Sequence, residues 1–512
     1  MTVTSLPVHR RTGGLLLVTL LAACASAPGV VSTEARSNHD ATSSVPGSNP
    51  TSSTESTAPN GTPTTAAPTT TSQPAAADKY GIGDSLFPNL GNPGIDVQHY
   101  AVVLNYDPQR RQLSASEHLD VVMTEERDMF SLDSDGPVVS AVSVDGVASK
   151  FSAVKPELLI TPSSHLARGQ KIGVDITYTV SPHSVASPAG ERVGWFPTPG
   201  GSFVLNEPEG AHTWLPSDDH PSDQATFRFE VTVPAGLTAV ANGALVDHTS
   251  TPTSETWTWQ EDHQMATYLI QMLTGDYELV DGVGPKGLPL LSVVLRQDRT
   301  LMQPYLDTIS DQIDFFDNYF GPFPLDRYGI AISDSSPGIA METMERSQFS
   351  RDDFLSGRLD SNEQLLLAHE LSHQWFGDAV SPKRWTDVWL NESFATYGEW
   401  MWLDHVGLRS IDESANSALA AREPGVTPAP TVDQMFTFDS YDGGAVILQA
   451  LRKTIGDDLF FTLLRRWVSD NTGTARTTAD FVALANKVAG RDLTEFFATW
   501  LYADILPTSF PP

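Results

Sequence analysis

The 512-residue chain has one cysteine, at position 24, and only 31 basic side chains against 63 acidic ones. A lone cysteine closes no intramolecular disulfide and builds no thiolate cluster, so any metal here has to be held by histidine and carboxylate. The formal charge of −32 excludes nucleic acid as a partner, because phosphate binding needs a basic face. Past the N-terminus no apolar run reaches about 18 residues, which excludes a later membrane span, and no solenoid period is apparent. What the chain does have is length for two or three domains and 40% apolar residues, enough to bury real cores.

His9-Arg10-Arg11 leads into the apolar stretch Gly13 to Leu21, a positive n-region and an h-region too short to span a bilayer. Residues 1–23 therefore read as a signal peptide and the chain as exported. Leu21-Ala22-Ala23-Cys24 resembles a bacterial lipoprotein signal, in which cleavage leaves the cysteine at the new N-terminus to carry lipid. The expectation is a protein held by lipid on Cys24 at the extracytoplasmic side of the cell membrane. An ordinary signal peptide ending near a cysteine is the alternative, and Arg10-Arg11 leaves the export route open between the general secretory and twin-arginine systems. Residues 24–78 are rich in Ser, Thr, Pro, Ala and Gly and poor in large apolar side chains, so they cannot bury enough surface to offset their conformational entropy. They read as a disordered spacer.

From 79 to 280 apolar and polar residues alternate in short runs, as in Lys171-Ile172-Gly173-Val174-Asp175-Ile176 and Phe227-Arg228-Phe229-Glu230-Val231. Period two, β-branched and aromatic enrichment, and frequent turn residues predict a β-sandwich-like domain of antiparallel sheets. From 281 to 512 the pattern predicts an α+β domain: a strand over 290–295, an amphipathic helix over 301–319, a strand over 328–332, then mainly helices.

The chemistry concentrates after Ser361. Ser361-Asn362-Glu363-Gln364 has the form of a capping box, and Leu365, Ala368, Leu371 and Trp375 recur at helical spacing until Gly377. On that helix lies His369-Glu370-Leu371-Ser372-His373, the signature of zinc metallopeptidase helices. Histidines four apart share a face, so two imidazoles can converge on one ion while Glu370 points to its open side. Eighteen residues intervene between His373 and Glu392, on a second helix predicted over 386–405. Two histidines and a glutamate form a catalytic zinc set with the fourth position left to water. Glu399, seven residues beyond Glu392 and on the same face, either orients a ligand histidine or is a surface carboxylate. His118, His263 and His405 show no ligand spacing.

That spacing and the block Trp389 to Ala395 resemble the zinc aminopeptidases of the alanyl and leucyl type, the gluzincins that include leukotriene hydrolase. Further stretches carry the likeness: Ile339-Ala340-Met341-Glu342-Thr343, Tyr441-Asp442-Gly443-Gly444-Ala445, Tyr319-Phe320-Gly321-Pro322-Phe323-Pro324, Glu207-Pro208-Glu209 and Trp214 to Pro221. The resemblance covers about 95–512 and implies a thermolysin-like catalytic domain behind the sandwich. It implies one Zn²⁺ on His369, His373 and Glu392, with Glu370 as general base and Tyr441 donating to the oxyanion. Glu342 and Glu207 would bind the α-ammonium of a peptide with a free N-terminus, and the Ala340-Met341 backbone would pair with substrate. The chain departs from the family pattern at Ile339 and Thr343, which replace a glycine and an asparagine, and at Gly443, which replaces a lysine. Only 139 residues follow His373, too few for the large C-terminal helical domain of many relatives, so a more open cleft is expected. The rival readings are a zinc endopeptidase of the same fold and a catalytically silent peptide-binding protein.

Overall fold

The computed structural model describes residues 80–511 apart from 336, 337, 339, 424, 430 and 504–506. The expected signal peptide over 1–23, Cys24, the expected spacer and Ile339 lie outside the described residues.

The alternating segments form an eight-stranded sheet in the order Ala244–Ser250, Ser254–Met265, Ala225–Pro234, Ile95–Asp107, Gln112–Met123, Lys171–Val180, Val138–Val144 and Val147–Ala148. Burial tracks the alternation, strictly so in Gln112–Met123, because successive side chains point to opposite faces and only one faces the core. The sheet is not wholly antiparallel as expected: Ile95–Asp107 pairs with Ala225–Pro234 in parallel. Local alternation reports which side of a strand is buried and is blind to its partner's direction. A five-stranded sheet, Thr238–Ala241, Met272–Gly275, Ser202–Leu205, Arg192–Pro197 and Ser184–Ala186, supplies the other layer, and a three-stranded sheet lies beside them. Trp195, Trp214, Trp259, Tyr100 and Phe227 fill the interior. Met341, Met344, Trp385 and Val388 from the C-terminal half join the same core, so the two halves share a packed boundary.

The C-terminal half opens on a mixed sheet in the order Tyr277–Val283, Pro289–Leu295, Ile330–Ser333, Ser347–Ser350 and Ala340–Met341. Ala340–Met341 is its edge, paired on one side only, with Ser347–Ser350. Among the described residues eight α-helices follow or interleave: α1 (Gln303–Phe320), α2 (Ser361–His373), α3 (Trp389–His405), α4 (Ile411–Ala421), α5 (Gly444–Ile455), α6 (Asp457–Asn471), α7 (Thr478–Ala489) and α8 (Thr494–Trp500). α3 is buried on every side from Trp389 to Leu403, which makes it the central rod of this half. Among the described residues no further helix follows α8, and no helix is long and apolar enough to cross a membrane.

The start of α2 corrects the expected capping box by one residue. Asp360 is the N-cap, accepting from the Asn362 N–H at 3.1 Å, and Glu363 returns a bond to the Asp360 N–H at 3.3 Å. Asp is as good a cap as Ser, and register is decided by which partner sits three residues on. α3 begins at Trp389 and not at 386, because Trp385–Asp387 is a separate 3-10 turn.

Candidate active site

α2 presents His369, Glu370 and His373 toward α3, and all three are buried. The helix stops at His373. Phe376 and Gly377 then leave helical geometry, with Gly377 at φ 129°. This turn brings the Phe376 carbonyl back to His373, whose Nδ1 lies 3.1 Å from it. His369 Nδ1 meets Glu399 Oε1 at 2.5 Å, so Glu399 orients a histidine and is no surface carboxylate. With both Nδ1 atoms engaged, both Nε2 atoms face Glu392 Oε2, at 3.3 Å from His369 and 3.5 Å from His373. One ligand atom from each of His369, His373 and Glu392 lies within 4.8 Å of the others.

Two further triads overlap this one within the same 4.8 Å limit: Glu342, Glu370 and His373, and Glu207, Glu342 and Glu392. Four segments distant in sequence thus converge on one point. Glu342 is 3% exposed rather than the surface residue an edge strand allows, and one of its carboxylate oxygens and one of Glu207's have no hydrogen-bond partner. The Ala340–Met341 edge ends against this group. Tyr441 lies in a turn, Asp439–Gly443, with its ring stacked 6.0 Å from that of His369.

The electrostatics follow from crowding acids away from water. Burial pushes the Glu370 carboxyl up to about 8, against the pull of His369 and His373. Burial also raises Glu342 and Glu399, and raises Glu207 far, with Glu342, Glu392 and Glu370 adding like-charge repulsion. Glu392 goes the other way: burial is outweighed by the two imidazoles, which hold it at about 2. Both imidazoles are raised despite burial, because Glu392 binds them together with Glu399 for His369 and Glu342 for His373. Five carboxylates around two imidazoles, with nitrogen and oxygen donors aimed at one gap, suit a divalent cation of the zinc class.

Several supporting residues escaped the sequence reading. Gln374 accepts from the Glu345 N–H at 2.8 Å and donates to the Glu342 carbonyl at 3.2 Å, tying the end of α2 to the edge-strand segment. Thr343, the departure from the family's asparagine, closes its turn by donating to the Arg346 carbonyl at 2.6 Å and accepting from Gln271 at 2.9 Å. Where Gly443 stands for a lysine, Arg422 supplies a buried guanidinium from the end of α4. It donates to the Gly443 carbonyl at 3.0 Å and to Thr427 at 2.7 Å, and it lies 3.5 Å from Asp439. Ser393 on α3 donates to the Ser440 carbonyl at 2.6 Å, holding the Tyr441 turn from the other side. No local pattern announces Gln271, Gln374, Arg422 or Ser393 in these roles, since each ties its own element to another. Of the other histidines, His118 sits in an exposed pair with Asp175 and His405 packs on Phe315 and Trp402.

Comparison with known proteins agrees with this geometry. The peptidase M1 N-terminal domain matches residues 97–269 and the peptidase family M1 domain matches residues 305–500. The chain belongs to peptidase family M1. A crystal structure of an M1 zinc metallopeptidase from Deinococcus radiodurans superposes with a TM-score of 0.73 at 29% identity, covering 84% of this chain and 99% of that one. A structure of that organism's enzyme described as bound to a Tyr-Ser-Ala substrate gives 0.75 at 28%, with the same coverage. Probable aminopeptidase 2 of Sulfurisphaera tokodaii is 29% identical over 322 residues, 59% of this chain and 41% of that protein. Leucyl aminopeptidase of Saccharolobus solfataricus is 28% identical over 325 residues, with the same shares. The chain thus spans about two fifths of the length of these two relatives.

Proposed function

We propose that the chain is a zinc-dependent aminopeptidase, exported and anchored by lipid on Cys24, that releases N-terminal residues from peptides. His369, His373 and Glu392 would hold the ion, and their donor types and convergence fit it. When bound, zinc supplies Lewis acidity and lowers the pKa of a water toward neutrality.

The protein's own groups do the rest. Glu370 neighbours His373 and Glu342 and takes the proton from the attacking water, then returns it to the leaving amine. Glu399 and the Phe376 carbonyl fix the imidazole rings and so the direction of each Nε2. Tyr441, held by Ser393 and Arg422 through its turn, donates a hydrogen bond to the carbonyl oxygen as negative charge develops there. The free edge Ala340–Met341 offers backbone donors and acceptors to an extended peptide.

The observation that carries the aminopeptidase reading over the endopeptidase one is the Glu207, Glu342 and Glu392 triad. Buried carboxylates with unspent oxygens beside the histidines bind an ammonium group strongly and fix one residue between it and the site of cleavage. A library of peptides with free and acetylated N-termini tests this. Cleavage confined to free N-termini, one residue at a time, is expected; equal cleavage of acetylated peptides at internal bonds would establish an endopeptidase.

A further inference from the structure

A second group of buried ligand atoms lies on the other side of Gln374. Glu261 and His263, two apart on strand Ser254–Met265, share a face of the eight-stranded sheet. Glu345 approaches them from the segment that follows the Ala340–Met341 edge, at φ 65°. One ligand atom from each of these three lies within 4.8 Å of the others.

The bonding of each group shows what it still lacks. Glu261 has no exposed surface; one of its oxygens accepts from the His263 N–H at 2.9 Å, and the other, Oε2, has no hydrogen-bond partner. His263 Nε2 has no hydrogen bond either, with Asp326 Oδ2 at 3.4 Å and Glu345 Oε1 at 3.8 Å. Glu345, also without exposed surface, gives Oε2 to Arg327 at 2.6 Å and turns Oε1 to the Asp326 N–H and the imidazole. Arg346 gives the group charge but no hydrogen bond, because its N–H groups go to the carbonyls of Leu291, Ala241 and Gly243 and to Gln271. An imidazole nitrogen and two carboxylate oxygens therefore converge in the interior with one backbone N–H, that of Asp326 at 3.3 Å from Glu345 Oε1, and none for Glu261 Oε2, an expensive arrangement unless a proton or a cation joins it.

We propose that Glu261, His263 and Glu345 bind a second divalent cation of the zinc class, with Asp326 closing the set from the solvent side. A nitrogen donor and so few oxygens favour zinc-like ions over calcium or magnesium, which take six or more oxygens or keep their waters. The group lies just beneath the surface, since the His263 and Asp326 side chains are 27% and 69% exposed while Glu261 and Glu345 have no exposed surface. Such an ion fastens a sandwich strand to the segment Glu342–Glu345. That segment is already bonded to Gln374 beside His373, so the ion would act as a strut behind the Glu342 carboxylate.

Metal content after zinc loading and desalting tests this directly. The unaltered protein should retain about two equivalents, while Glu261→Gln and His263→Ala each retain about one. His369→Ala, which disrupts the first site, should also keep about one, and zinc should raise its melting temperature. Zinc should not raise that of the His263→Ala/His369→Ala double variant. A single equivalent in the unaltered protein, or two that survive both Glu261→Gln and His263→Ala, would overturn the proposal; in the first case Glu261 and Glu345 share a proton instead.

Discussion

His369 and His212 are both buried imidazoles bonded through Nδ1 to a carboxylate, at 2.5 Å to Glu399 in the helical half and at 2.8 Å to Asp219 in the sandwich. The surroundings of the two pairs differ. Asp219 also accepts from the His212 backbone N–H at 2.9 Å and from the Thr267 hydroxyl at 2.6 Å, so both of its oxygens are used. The result is a closed knot that fixes the loop following Glu207. Around His369 the valence is only partly used: Nε2 bonds Glu392 Oε2 at 3.3 Å, that oxygen also faces His373 at 3.5 Å, and Glu342 and Glu207 keep unspent oxygens nearby. Buried charge is common to both places; unspent valence separates a site of chemistry from a structural clasp.

The largest effect is expected at Glu370. Glu370→Gln keeps size and removes the base, so kcat should fall roughly 10²- to 10⁴-fold while bound zinc is unchanged; activity near that of the unaltered protein would take Glu370 out of the reaction. In the knot, Asp219→Ala leaves His212 and Thr267 without their acceptor and should cost about 3–5 kcal/mol in denaturant unfolding. A loss below about 1 kcal/mol would mean the clasp is ornamental. Tyr441→Phe should lower kcat on the order of 10²-fold with little change in KM, and a change confined to KM would assign the ring to binding. Glu399→Gln should weaken zinc affinity by about 10- to 100-fold and leave the fold intact, read by competition with a chromogenic chelator.

The same clasp also sets a pH dependence. Burial alone would lower the His212 imidazole, but its bond and charge interaction with Asp219 raise it from 6.5 to about 9. The folded protein therefore binds a proton that the unfolded chain releases near 6.5. This contribution to stability is complete below about pH 6.5 and fades as pH climbs toward 9. Asp219→Ala should flatten that decline; an equally steep one in the variant would locate its cause elsewhere.

The sequence disclosed those parts that repeat or that sit at fixed offsets. The alternation in Gln112–Met123 predicted a half-buried strand because a two-residue period can have only one inward face. His369, His373 and Glu392 were legible because helix geometry turns sequence distance into direction. Glu399 was visible as a residue on the right face, but its partner was not. Gln271 with Thr343, and Arg422 with Gly443, could not be foreseen, since each pairing is made by the way whole elements pack, and neither residue carries a local signal of its partner. Helix boundaries slipped by a residue or more for a related reason: Asp360 and Ser361 are equally good caps on paper, and only the completed turn chooses.

Gly377 shows how much of this arrangement hangs on something very small. At φ 129° it occupies a backbone region that side-chain-bearing residues rarely adopt, and a single methyl there would come within 3.2 Å of the Asn391 side chain and 3.3 Å of His373 Nδ1. The aim of the second histidine is thus set by one hydrogen atom where every other amino acid has carbon. Any substitution in a directed-evolution campaign would strain the backbone here and press directly on the ring of that histidine.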